Sequence, residues 1–414
     1  MKVGIIGGGI IGLCSAWYLL NEGIEVEIYE KGDGSDGCSF GNMGYLSPSH
    51  FVPLAAPGIV WQGIKWMFDP TSPFYIKPRA DLDFMRWSYL FWRNASENKV
   101  NVHSPALSDF LHLSRSKTIE MAEKIGNSFD LTLKGCYMMY SQAATEKHEI
   151  ALAKRAASLG IETLHMDATQ LQREEPMLGV NALGAVLYPI DGHLHPGKWL
   201  QAIRKDITAR GAIIHNDTEI IDVNLQGKKI IGVTDRQGIM HDLDHLLVAT
   251  GAWLPVLMKK LGLNLLMEAG KGYSTTFEGL PHNLSRPAIL VDDRVALTPF
   301  GSDLRVGGTM ELSGINHTIH RARVQAIINA VKNTFSAFDF TLPPAEKLWC
   351  GLRPVSPDGL PYLGNSPNYD NLTIAAGHAM LGISLAAGTG NLVSDLIKGC
   401  KPALNLHFFR INRY

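Results

Sequence analysis

The sequence predicts an α/β chain in two parts. A Rossmann-like part is assembled from both chain ends, and a second part on an antiparallel or mixed sheet is inserted into it. Three observations predict this. The chain opens as strand, tight glycine turn, helix and strand within its first thirty or so residues. Short strands separated by turns run through 211–250 and continue over 265–310. The chain then closes on a strand, a glycine-rich turn and a last helix.

Taken in order, residues 3–6 form a short apolar run that reads as a buried strand. Residues 7–9 are all glycine and make the turn, and 10–20 have helical content that Asn21-Glu22-Gly23 stops. Residues 25–30 alternate, with Val26 and Ile28 apolar, and read as the next strand. The stretch 32–50, rich in Gly, Ser and Asn, reads as an ordered loop, and 58–93 is apolar and aromatic with helices. Helices are expected over 106–126, 144–159, 196–210 and 319–335, the third with a proline near its start. Strands are expected at 136–141, 185–188, 212–215, 219–224, 230–234, 245–249, 271–277, 295–299, 304–307 and 372–376, with a final helix ending near 398. The expected division is 1–45, 200–260 and 345–414 for the nucleotide-binding part, with 46–199 and 261–344 for the second part.

The 414 residues exceed one ordinary core, and 46% apolar content is enough to fill two. Lysine plus arginine (38) balances aspartate plus glutamate (39), which leaves no basic footprint for nucleic acid. Five scattered cysteines without a CxxC pair argue against a disulfide framework, a zinc ribbon or an iron–sulfur cluster, so no metal is expected and a reducing cytoplasm is the natural compartment. The apolar start is broken by Gly4, Gly7, Gly8, Gly9 and Gly12, which suits a turn rather than a signal peptide. No later stretch reads as a membrane span.

Gly7-Gly8-Gly9-Ile10-Ile11-Gly12 matches GxGxxG between a strand and a helix, the Rossmann dinucleotide fingerprint. Gly7 permits the turn, Gly9 lets backbone approach a pyrophosphate, and Gly12 lets the helix pack on its strand. Glu30 ends the next strand, where a carboxylate can accept from ribose hydroxyls. The fingerprint alone leaves FAD and NAD open. Two segments favour FAD: the apolar strand ending in Ala249-Thr250-Gly251 before Ala252-Trp253, and 377–382 (GHAMLG), which opens the last helix and can face the anionic edge of a reduced flavin.

The motifs GIIGGGIIGLCSAWYL (4–19), CSFGNMGYLSPSH (38–50), LAAPGIVWQGIKWMF (54–68), KGYSTT (271–276), RVGGTMELSG (305–314), GLRPVSPDGLPYLG (351–364) and GHAMLGISLAAGTG (377–390) span nearly the whole chain. In them the chain resembles the glycine/D-amino-acid oxidase superfamily of FAD enzymes, and within it is similar to the bacterial D-amino acid dehydrogenases. The resemblance implies an adenosine-diphosphate site at Gly7, Gly9, Gly12, Glu30 and Lys31, with Ile10 beside them. It implies a loop past the pyrophosphate and flavin at Ser39, Asn42, Met43 and Gly44, and a second FAD motif at Thr250, Gly251 and Trp253. It also implies a cap over the pyrimidine ring at Leu381, Gly382, Ile383 and Ser384, with His378 and Gly351 completing the lining. Arg353 matches the arginine that grips a substrate carboxylate. The segment YPIDGHLHP (188–196) departs from the D-alanine-type enzymes and is similar to relatives acting on cyclic or N-substituted amino acids such as hydroxyproline. Cys350 stands out of register with a covalent attachment point, so the FAD is expected to be non-covalent.

The implied chemistry moves a hydride from the substrate Cα to flavin N5, giving an imino acid that water converts to a 2-oxo acid and ammonia. A guanidinium at 353 suits a planar carboxylate, and Tyr273 adds a hydroxyl or packs in the core. His193, His195, His50 and His378 are candidates for polar contacts or for satisfied structural histidines, and Tyr188 for the pocket wall. Oxygen and quinone both remain open as acceptors. So do a flavin-binding subunit without its own turnover, and a hydroxyproline-, sarcosine- or glycine-type activity. The cluster Trp61, Trp66, Phe68, Trp87, Tyr89, Phe91 and Trp92 reads as second-domain core, as a subunit contact of a homo-oligomer, or as a peripheral contact with the inner face of the cell membrane.

Overall fold

In the computed structural model, which describes residues 1–35, 37–58 and 72–414, the chain ends meet in one six-stranded sheet. β1 (Lys2–Ile6) lies between β2 (Glu25–Tyr29) and the strand His245–Val248, parallel to both. The sheet extends through Ile213–His215 beyond β2, and through Leu372–Ala376 and the antiparallel Tyr362–Asn365 on the other side. Every strand but the last is parallel, so each must be covered on both faces. On one face pack α1 (Ile10–Asn21), the helices Pro196–Ala209 and Gly382–Ile397, and the long helix Glu97–Ile125, joined through Leu13, Trp17, Phe110, Ile203 and Leu385. The other face carries the antiparallel meander Ile220–Gln226, Lys229–Asp235 and Met240–Asp242 and the helix Leu254–Lys260, packed through Tyr29, Ile230, Val233 and Leu257.

A second, mixed sheet runs in the order Trp349–Val355, Glu268–Phe277, Asp303–Leu312, Val295–Phe300, Ala288–Leu290, Cys136–Tyr140, Gly184–Tyr188, Leu164–Asp167. The helix Arg321–Thr334 seals one of its faces over Tyr273, Leu297 and Val306. This is the two-part α/β architecture that the sequence predicts.

Two expected boundaries move. The strand Trp349–Val355 falls beyond position 345 yet pairs with Glu268–Phe277 in the second sheet. The helix Glu97–Ile125, expected within the second part, buries Leu107, Phe110 and Leu111 against the nucleotide sheet's helices. It also begins nine residues before the expected 106, because it runs through Pro105 instead of starting at it. Against the expectation of no later membrane span, the last helix is apolar enough by length and composition to cross a membrane, yet it is the core helix between α1 and Glu97–Ile125.

Candidate active site

A cavity of about 340 Å³ opens where the two sheets meet, at the carboxyl ends of the parallel strands. Its first wall is the glycine turn. Gly7 has φ +110°, and a Cβ there would lie 2.5 Å from Ala249 O; one on Gly12 would lie 2.0 Å from Gly7 O. Only glycine lets helix, turn and strand come this close. α1 follows the N-cap Gly9, which has no capping side chain, and has no acid in its first turn, so beyond the Ile10 N–H taken by Ser39 its positive dipole end faces the cavity. Glu30 closes the end of β2, its carboxylate accepting from the N–H of Gly8 at 2.7 Å and of Gly32 at 3.1 Å. Lys31 lies 3.3 Å over the ring of Trp253.

Loop 38–46 forms the second wall. The Ser39 hydroxyl accepts from Ile10 N–H at 3.1 Å, and Asn42 Oδ1 accepts from Gly44 N–H at 2.9 Å. Three side chains of the second sheet hold the loop down. Ser274 donates to Gly41 O, Thr298 to Met43 O at 2.6 Å, and Arg305 to Asn42 O at 2.7 Å. Sequence reasoning missed all three as loop clamps: they sit one on each of three neighbouring strands, and although Ser274 and Arg305 fall inside the motifs 271–276 and 305–314, only the register turns them to one face. The third wall is the start of Gly382–Ile397, again uncapped and without an acid in its first turn, with His378, Gly382 and Ile383 lining the cavity. His378 is neutral, burial pushing its pKa down to about 3, and pairs with the Thr389 hydroxyl at 3.0 Å.

The expected residues divide accordingly. Gly7, Gly9, Ile10, Glu30 and Lys31 line the cavity, as do Ser39, Asn42, Thr250, Gly251, Trp253 and Gly351. Gly12, Met43, Gly44 and Leu381 are not among its lining residues. Ser384 turns its hydroxyl away, donating to Tyr45 O at 2.7 Å and accepting from Ser47 N–H at 3.1 Å. The pieces fit a dinucleotide: two helix starts whose N-cap residues offer no capping side chain converge on one cavity, and among the described residues the buried Thr250 hydroxyl on its wall has no partner.

Cross-strand register sorts the catalytic candidates. Arg353 pairs with Gly270, while Tyr273 pairs with Cys350, so alternation puts Arg353 and Tyr273 on opposite faces of the second sheet. Arg353 lies flat across Gly272, where a Cβ would sit 2.2 Å from Nη2, and donates to Thr309 O at 2.7 Å. It shares its face with Ser274 and Arg305, the face turned to loop 38–46, and neighbours Cys38 of the cavity wall. Tyr273 instead donates to Glu311 at 2.7 Å beneath the helix Arg321–Thr334, on the face away from Arg353. His195 is engaged at a helix start. Its Nδ1 caps Pro196–Ala209 by accepting from Lys198 N–H, and its ring packs on Phe300. His193 is buried in a two-stranded pairing with Tyr45, and Tyr188 is buried in the second sheet. His50 contacts Ser49 Oγ at 3.1 Å and is kept neutral, burial holding its pKa at about 4; Ser49 in turn donates to Asp191 at 2.5 Å. Of the aromatic cluster, Trp87 is core, Tyr89 and Trp92 are exposed, and Trp61, Trp66 and Phe68 lie outside the described residues.

Residues 2–396 match the family model DAO, FAD dependent oxidoreductase. The chain belongs to this family. It is 32% identical over 425 residues to a D-amino acid dehydrogenase of Rhizorhabdus wittichii and 30% identical over 423 residues to one of Granulibacter bethesdensis, with all of each chain covered. Its fold is similar to that of glycine oxidase from Geobacillus kaustophilus, with TM-score 0.79 at 22% identity, covering 100% of this chain and 99% of that one. It is also similar to that of L-proline dehydrogenase from P. horikoshii, with TM-score 0.76 at 19% identity, covering 100% and 97%. As a member of the family the chain is an FAD-dependent oxidoreductase, and the cavity between the two sheets is where the residues suit that cofactor.

Proposed function

We propose that this chain is an amino acid dehydrogenase that oxidises a small D-amino acid to its imino acid, which water hydrolyses to a 2-oxo acid and ammonia. The observation that carries this reading is the Arg353 guanidinium, spread over Gly272 on the sheet face turned to the cofactor loop. The name of the full-length relatives supports the amino acid class and the D hand.

Bound in the cavity, FAD supplies the hydride acceptor. Arg353 stays charged even though burial lowers its pKa, and its planar fork takes both oxygens of a carboxylate. With one end of the substrate fixed, the Cα–H bond has a defined direction, which is the protein's main lever here. The amine must be neutral for its lone pair to assist, and no side chain needs to act as base. His50, neutral through burial, offers a hydrogen bond and no charge. Cys350 lines the cavity with burial raising its thiol pKa and its sulfur directed to His317 O, which supports non-covalent FAD.

We assign the enzyme to the cytoplasm, with electrons passed to a membrane quinone. The helix Leu82–Asn94 supports this by exposing Leu82, Met85, Tyr89 and Trp92 along one side. Flotation with vesicles that leaves all the protein unbound would remove the membrane part. The activity is tested by anaerobic bleaching of the flavin with D-alanine, other D-amino acids, D-hydroxyproline and sarcosine, followed by oxygen or a quinone. Bleaching by D-alanine is expected. Bleaching by hydroxyproline or sarcosine alone moves the substrate to the cyclic or N-substituted class that segment 188–196 resembles. No bleaching by any of them rejects the proposal.

A further inference from the structure

We propose that Glu27, His215 and His241 form a site for one divalent transition ion of the zinc type, on the back of the nucleotide sheet. The three residues are remote in sequence and come from three strands. Glu27 is in β2, His215 ends the neighbouring parallel strand Ile213–His215, and His241 is in Met240–Asp242 of the meander. The register sets Tyr29 opposite His215, and Glu27 shares the face of Tyr29 by alternation. The meander lays His241 over the same spot, its ring 5.5 Å from that of His215 and 4.9 Å from that of Tyr29.

One ligating atom from each residue lies within 4.8 Å of the others. His215 Nε2 is already 3.2 Å from Glu27 Oε2. Bonds of about 2.0 Å in a tetrahedron put neighbouring ligand atoms about 3.3 Å apart, so this pair needs almost no movement. Two imidazoles and a carboxylate are a donor set that zinc and its neighbours favour. The outer partner that such a site requires is also present. Asp235 contacts the His241 ring at 3.0 Å and is itself held by the N–H groups of Gln237 and Ile239. The Lys2 ammonium contacts Glu27 Oε1 and Asp242, its backbone N–H donates to Asp244, and Glu27 Oε2 accepts from the Tyr29 hydroxyl while facing His215 Nε2. In the metal-free arrangement the groups hydrogen-bond to one another. Binding moves the His215 Nε2 proton to Nδ1 or to solvent, with no redox change.

Such an ion would pin the meander to β2. β2 leads directly into Glu30, whose N–H bonds His215 O at 2.9 Å. The site lies on the sheet face away from α1, so it is separate from the substrate pocket and does not depend on the activity proposed above.

The test uses the FAD-loaded enzyme, free of any affinity tag, stripped with EDTA and titrated with Zn²⁺ by calorimetry, with metal content measured after desalting. One equivalent is expected to bind. His215→Ala and His241→Ala should each weaken binding by more than about 100-fold, and Asp235→Asn by about 10–100-fold. Flavin absorbance and turnover without zinc should stay near wild type. Absence of saturable binding, or equal affinity in wild type and both histidine variants, would overturn the proposal. If a variant fails to fold, Co²⁺ bound to wild type decides. Visible bands of a tetrahedral nitrogen–oxygen site support it, and their absence overturns it.

Discussion

The strand pair Glu268–Phe277 and Trp349–Val355 carries buried cations on both faces, in opposite circumstances. On the face under the helix Arg321–Thr334, Lys271 Nζ lies 3.0 Å and Arg323 Nη1 2.5 Å from the two oxygens of Glu311. Lys271 is fully enclosed and also donates to Asn316 Oδ1 and Thr318 O. On the face toward the cofactor loop, Arg353 donates to a carbonyl, and among the described residues no carboxylate shifts its pKa. A buried charge costs several kcal/mol to desolvate unless it is paired. Where the chain supplies the partner, the cation is part of the core. Arg305, on the same face, is spent on the carbonyls of loop 38–46, and the proposed function gives the place beside Arg353 to the substrate carboxylate.

The contrast is broken most severely by Glu311→Ala, which strands Lys271 and Arg323 without a counter-charge. The expected loss is about 3–5 kcal/mol of stability, read from denaturant midpoints. Arg353→Ala should do the reverse. It should retain FAD and melt near wild type, while kcat/KM falls about 100-fold, equivalent to about 3 kcal/mol of lost carboxylate binding. Near-normal kinetics would show that the guanidinium does not face the substrate.

That contrast was only half legible in the sequence. The glycine turn, Glu30 and the last helix are local patterns, in which each residue's neighbours in space are its neighbours in the chain, and the structure puts Gly7, Gly9, Glu30, Thr250 and Gly382 around one cavity. The second sheet gathers strands from 136–188 and 268–355, so which residues share a face depends on register and bulges. Tyr273 and Arg353 therefore read as partners, while Ser274, Thr298 and Arg305, which clamp the cofactor loop, went unnoticed. The capping role of His195 has no sequence mark of its own. Glu27, His215 and His241 could not be joined without knowing where the meander lies.

Asp191 sharpens the comparison from the acid side. Burial pushes the Glu311 pKa up, but the Tyr273 hydroxyl and Lys271 outweigh it and hold it below the usual range. Asp191 is fully buried with hydrogen bonds from Ser49 and the more distant charge of Arg115, and burial carries its pKa up to about 7. A carboxyl whose folded pKa exceeds its unfolded value gives stability at low pH that is lost as pH rises through about 7. Wild type should therefore lose roughly 2 kcal/mol relative to Asp191→Asn between pH 5 and pH 7, measured by urea melts at both. Parallel curves would mean that Asp191 is already ionised in the fold.

The smallest expected effect discriminates the two faces most cleanly. Tyr273→Phe removes one hydroxyl from Glu311 but leaves that carboxylate its two cations. The loss should be about 1 kcal/mol of stability, the worth of one hydrogen bond, since Glu311 remains paired. Because the ring points away from Arg353, KM and kcat should each stay within about twofold of wild type, far below the 1.4 kcal/mol that a tenfold change requires. A tenfold rise in KM, with stability unchanged, would place the phenol on the substrate and undo the division of the sheet into a ligand face and a core face.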